Sequence, residues 1–205
     1  MILAVDVGNS NTTVGLFNGT GELLFRALLE TSRSKTRDQC AIELLGVFQL
    51  YGADACTVDG AILSSVVPPL TTIFTDAIAR LTGIPPMVVG PGIRAEIHNQ
   101  LGSDIVASSV AAIAKYPSPI VMVDMGTATS LSLIVGSVYE GCIIMPGLAL
   151  ALDALSERAA ALPPISIETA SPVGLMGHTT EEAMRSGVLY GHASMVDGML
   201  ERIEE

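Results

Sequence analysis

The string VDVGNSNT at residues 5–12 returns as VDMGTATS at residues 123–130, and both copies share the frame V-D-x-G followed by small polar residues. Each copy joins one apolar run to the next. Residues 2–7 read as a buried strand, 8–11 as turn chemistry, 12–17 as a second strand, 18–21 as a second turn and 22–29 as a third strand, so the chain opens on a β-meander. The later copy repeats this order, with strands at 120–123, 130–135 and 139–145 around a turn at 126–129, ending at Pro146-Gly147. A chain that builds the same hairpin twice is constrained to two lobes of like design.

Helical patterns separate the strands. Residues 36–51 place Ala41, Leu44, Leu45, Phe48 and Tyr51 at helical spacing, and 104–115 and 148–161 read as further helices. Thr179-Thr180-Glu181-Glu182 has capping-box spacing ahead of a long helix that runs to Ile203. Residues 60–67 and 87–89 are strands bounded by Pro68-Pro69 and by Gly90-Pro91-Gly92. The expected class is therefore α/β, with a lobe at 1–100 carrying the first turn and a lobe at 101–205 carrying the second turn and the last helix, facing each other across a cleft.

The chain has 205 residues, 49% of them apolar and only 15% charged, which favours a folded globular protein over disorder. Its net charge of −11 argues against nucleic acid and anionic membranes as partners. An anionic small molecule remains compatible, because backbone N–H groups and a metal ion can hold phosphates without a basic surface. Cys40, Cys56 and Cys142 are scattered and odd in number, as expected of reduced, buried thiols. The start carries no basic leader, and Pro146 and Asp153 break the most apolar stretch too early for a bilayer span, so a cytoplasmic protein is expected.

An Asp that ends a strand and is followed by Gly and small polar residues can do two jobs. Its carboxylate can hold Mg²⁺, and the turn presents N–H and O–H donors to phosphate oxygens. Two such turns can grip a polyphosphate, by a route unlike the P-loop, whose G-x-x-x-x-G-K-[ST] string is absent. Asp104 follows Gly102-Ser103 at a helix start, where the residues alone allow either an N-terminal helix acid or a catalytic carboxylate.

The segment VDVGNSNTTVGLF resembles the first phosphate motif of the acetate and sugar kinase, heat-shock chaperone and actin superfamily, and within it the type III pantothenate kinases. GSDIVASSVAA is similar to that family's G-x-D-R-x-x-x-x-x-A-A, VDMGTATSLSLI to D-F-G-T-A-T-T, and YEGCIIMPGL to Y-x-G-G-x-I-x-P-G; AALPP and GHTTEEAMRSGVLYGHASMVDGMLERI match later segments. The resemblance implies two ribonuclease H-like, actin-like ATPase lobes with a nucleotide cleft between them. It implies that Asp6 serves Mg²⁺, with Gly8, Asn9 and Asn11 around the terminal phosphates of ATP. Asp104 would be the general base, beside Gly102 on the substrate side. Asp124 would lie near a monovalent cation, K⁺ or NH₄⁺, while Gly126, Thr127 and Thr129 form the second phosphate turn. Thr180 would face pantothenate.

Three departures stand out. The family's Arg after the catalytic Asp, expected to meet the pantothenate carboxylate, is Ile105 here. Its loss removes a charge-assisted contact of about 1.5–3 kcal/mol. The loop at 94–101, RAEIHNQL, is shorter than the family's and lacks its Tyr, and His98 within it reads as a solvated side chain or a partial replacement cation. Family chains also continue beyond the last helix with a strand, a Gly-Gly turn near the adenosine and a final helix, whereas this sequence ends at Glu205. Either the sequence is truncated or ATP is held with less support. His192 reads as packed on a helix face, Met195 and Met199 as core or subunit interface, and the positive run from Arg33 to Arg37 as a solvated loop.

The expected function is ATP-dependent phosphorylation of pantothenate to 4′-phosphopantothenate, the first step of coenzyme A synthesis, in a homodimer joined through the helix at 180–203. The alternatives are a non-catalytic, regulatory paralogue and a kinase for a different small alcohol.

Overall fold

The computed structural model describes residues 1–90, 101–167 and 174–205. His98 and most of the short loop lie outside the described residues. The opening meander forms as expected: β1 (Ile2–Val7), β2 (Asn11–Phe17) and β3 (Leu23–Glu30) pair antiparallel in sequence order. β4 (Gly60–Ser65) then joins β1 in parallel and β5 (Met87–Val88) joins β4, giving a five-stranded sheet of order β3-β2-β1-β4-β5. Strand alternation sends Leu3, Val5 and Val7 inward and leaves Asp6 exposed at the end of β1.

Helix α1 (Arg37–Leu50) starts on a capping box in which Thr36 Oγ1 accepts from the Gln39 N–H and the Gln39 side chain accepts from the Thr36 N–H. It packs with α2 (Pro68–Thr82), and Leu44, Phe48, Leu70, Phe74 and Ile78 fill the core beneath the sheet. Each such side chain contributes about 1.5–3 kcal/mol by leaving water. α2 is absent from the sequence expectation, which treated Pro68-Pro69 only as the end of a strand. The two prolines occupy the first helical positions, where the missing N–H has no intrahelical partner to lose.

Cys40 is buried in this core, and burial, reinforced by the Glu43 charge and opposed by Lys35, pushes its thiol up. Cys56 and Cys142 are exposed, contrary to expectation. Cys56 lies in a single 3₁₀ turn, and Cys142 on the outward side of a strand whose Tyr139 and Met145 point in.

Helix α3 (Ser103–Lys115) packs on β4. The second sheet has the order β6 (Ile120–Met125), β7 (Ala128–Val135), β8 (Val138–Pro146). α4 (Leu148–Arg158) packs with α5 (Thr180–Glu204) around Leu152, Met184 and Val188. The Thr179–Glu182 capping box read from the sequence is present, with the Glu182 N–H donating to Thr179 Oγ1 at 3.2 Å. The chain separates into two compact units: Met1–Ile120 with Ile134–Glu140, and Val121–Leu133 with Gly141–Glu205.

Candidate active site

In the first unit the hairpin after Asp6 closes through the Gly8 N–H, which donates to the Asn11 carbonyl at 2.9 Å. A Cβ at Gly8 would stand 3.0 Å from that carbonyl oxygen, so the tight turn favours glycine. Asn9, Ser10 and Asn11 are exposed around it.

The parallel register places Ser64 opposite Asp6 and Ser65 opposite Val7. Ser103, the first residue of α3, is buried and is bonded to both serines: its Oγ accepts from the Ser65 N–H at 2.9 Å and from Ser64 Oγ at 3.2 Å. These bonds fix the start of α3 at the end of the sheet that carries Asp6. Asp104 is the next residue, half-buried, with Oδ1 accepting from the Ile105 N–H at 2.8 Å. Its carboxylate folds over Gly102, where a Cβ would overlap Asp104 Oδ1. Asp6 is thus linked through Ser64 to Ser103, the residue that Gly102 and Asp104 flank, and the 8–11 turn follows the same strand as Asp6. Ser64, Ser65 and Ser103 had no role in the sequence reading. The run of two serines at the end of an apolar strand was the available signal, but only the β1–β4 register gives it meaning.

In the second unit the Gly126 N–H closes the turn onto the Ala128 carbonyl at 3.0 Å, and Asp124, Gly126 and Thr127 are exposed. Gly147, the N-cap of α4, donates to the Thr127 carbonyl at 3.1 Å, and a Cβ there would stand 2.5 Å from the same oxygen. This close approach accounts for the glycine of the Pro146-Gly147 pair. Thr129 differs from its neighbours: it is buried, and Oγ1 lies 3.0 Å from Nε2 of the buried His192 on α5. Its hydroxyl therefore ties the strand after the turn to α5. Thr180, the first residue of α5, lines an open groove of about 850 Å³ with Thr179, Leu162, Pro163 and Pro164. The AALPP and Thr180 segments, distant in sequence, meet there.

Mixed α/β sheets that each open on an Asp-Gly hairpin, one with a carboxylate seated at a helix start beside it, define the ribonuclease H-like class to which actin-like ATPases and sugar kinases belong. Solved structures agree at the level of fold. A conserved Baf family protein from Campylobacter jejuni matches 96% of this chain and 78% of its own with a TM-score of 0.55 at 19% identity. A protein described as a 2-dehydro-3-deoxygalactonokinase from Sinorhizobium meliloti matches 93% and 78% with a TM-score of 0.53 at 14% identity. The family model for type III pantothenate kinase matches residues 2–202. Type III pantothenate kinases from Shouchella clausii and Koribacter versatilis are 40% and 34% identical over the whole of this chain, which covers 82% and 80% of their lengths. The chain belongs to the type III pantothenate kinase family.

Proposed function

We propose that the protein transfers the γ-phosphoryl group of ATP to the primary hydroxyl of pantothenate, giving 4′-phosphopantothenate for coenzyme A synthesis. The observation that carries this reading is Asp104, held by the Ser103 network at the same sheet end as Asp6 and the 8–11 turn. In the reaction Asp104 takes the hydroxyl proton as the oxygen attacks the γ-phosphorus. The new P–O bond forms as the bond to the β-phosphate oxygen breaks, and ADP leaves with that electron pair. Gly8, Asn9 and Asn11 hold the terminal phosphates, and Gly126 and Thr127 form the exposed part of the second phosphate turn; Thr129, expected beside them, instead turns its hydroxyl inward onto His192. Thr180 and its groove serve the acceptor.

Among the described residues no three His, Cys, Asp or Glu side chains cluster to hold a metal. A single exposed Asp6 fits Mg²⁺, which takes one or two carboxylates and completes its shell with water and phosphate oxygens. When bound there it would neutralise charge on the transferring phosphate. Asp124 offers hard oxygen donors suited to K⁺ or NH₄⁺. No helix among the described residues is long and apolar enough to cross a membrane. We place the enzyme in the cytoplasm as a homodimer joined through α5.

A second reading, a kinase for an alcohol without a carboxylate, is favoured by Ile105. That residue puts an aliphatic side chain where the family carries an Arg. ADP release with Mg²⁺-ATP, K⁺ or NH₄⁺ and pantothenate tests both, run beside Asp104→Asn. Pantothenate-dependent turnover that falls by about 10²-fold or more in the variant is expected. Turnover with another alcohol but none with pantothenate would transfer the assignment to the second reading.

A further inference from the structure

The positive run from Arg33 to Arg37 is a solvent-exposed loop, as read from the sequence, with Arg33 itself exposed, but it is fastened at both ends. The segment after β3 is fastened to the first phosphate turn: the Thr31 N–H donates to the Ser10 carbonyl at 2.9 Å, and the buried Thr12 hydroxyl bonds that of Thr31 at 2.8 Å. Farther along, Lys35 bonds the Glu30 carbonyl and pairs with Glu43 at 3.0 Å, and Thr36 caps α1. Arg33 sits between these two anchors, and its Nη2 donates to Asn9 Oδ1, inside the 8–11 turn, at 3.3 Å.

The other cations of this run, and Arg80 on α2, are neutralised. Lys35 faces Glu43, Arg37 faces Asp38 and Asp76, and Arg80 faces Asp38. Among the described residues no carboxylate lies within ion-pair distance of Arg33, in a chain of net charge −11. A guanidinium carries five N–H donors, and a single bond to a neutral amide leaves the rest available to an anion. The same bond orients Asn9: with Oδ1 engaged by a cation, its NH₂ is the end left to donate to a phosphate oxygen.

We infer that Arg33 is a phosphate-binding residue of the nucleotide site, contacting the β- and γ-phosphates of ATP beside the 8–11 turn and holding Asn9 in its donor orientation. Arg33 takes this role if the turn binds ATP as proposed above. It supplies from the loop after β3 the fixed positive charge that other nucleotide folds take from a P-loop lysine.

The test is equilibrium binding of Mg²⁺-ATP, ADP and AMP to the full chain without acceptor, by calorimetry, for the wild type, Arg33→Ala, Arg33→Lys, Asp6→Asn and Arg37→Ala. Arg37→Ala removes a neighbouring cation that already has acid partners. Arg33→Ala is expected to weaken ATP about tenfold or more, ADP less and AMP not at all, with partial recovery in Arg33→Lys and near-wild-type binding in Arg37→Ala. In turnover the KM for ATP should rise while that for pantothenate holds. Arg33→Ala that binds ATP as Arg37→Ala does, or that loses AMP equally, overturns the assignment; so does a raised pantothenate KM with ATP affinity intact. If Asp6→Asn loses Mg²⁺-ATP while Arg33→Ala keeps it, only the role of Arg33 falls. If the wild type binds no ATP, the nucleotide reading and Arg33 fall together.

Discussion

At Gly102 a methyl group would enter the space that the Asp104 carboxylate uses. The backbone there has φ −59°, which suits any residue, so the requirement is room and not conformation. Gly102→Ala should therefore displace the carboxylate while Ser103, facing inward, keeps its bonds to Ser64 and Ser65. The expected result is a kcat lowered about tenfold or more, a fraction of the 10²–10⁴ that acid–base groups typically contribute, with ATP affinity retained. Stability should fall by about 1 kcal/mol at most, since alanine is the poorer N-cap. Steady-state kinetics beside thermal unfolding separate the two effects, and a wild-type kcat in Gly102→Ala would show that the carboxylate's present position does not govern the rate.

The elements that were legible from sequence are those whose signals are local. The capping box of α5, the helix pattern of α1 and the strand-turn-strand order of both hairpins need only neighbouring residues. α2 escaped because two prolines were taken as punctuation, although Leu70, Phe74, Ala77 and Ile78 already trace one helical face behind them. What no local signal carries is the tie between elements, and the pair Thr129–His192 is the clearest case. It joins β7 to α5 through two buried polar side chains 63 residues apart in sequence. His192→Phe leaves a buried hydroxyl without its partner, at a cost of about 1–3 kcal/mol, and Thr129→Val does the same to the imidazole. In urea unfolding the double variant should be less destabilised than the sum of the singles by about 0.5 kcal/mol or more, whereas strict additivity would mean that the bond contributes nothing to stability.

At the scale of the molecule, the repeated V-D-x-G frame led to an expectation of two lobes of like design, and the resemblance to the roles proposed for Asp6 and Asp104. The meeting of Asp6, Ser64 and Ser103 depends on strand register, and that of Arg33 with Asn9 on the path of a loop, so neither was legible. The two units also differ in a way that composition conceals. The first buries Leu3, Val7, Leu16, Phe48, Leu63 and Phe74 in one continuous core, while the helical cluster of the second centres on Leu152, Met184 and Val188, and Met125 and Ile144 on its strands are exposed. Local opening is governed by the apolar surface that must be re-exposed, so hydrogen exchange should be slowest in β1, β2 and β4 and faster in β6 and β8. Mg²⁺-ATP should then slow exchange at residues 8–11 and 31–36 together, because the Thr31, Thr12 and Arg33 bonds make turn and loop a single body. Protection of 8–11 without 31–36 would uncouple them, and equal exchange in β4 and β6 would mean that the difference in burial does not set the order of opening.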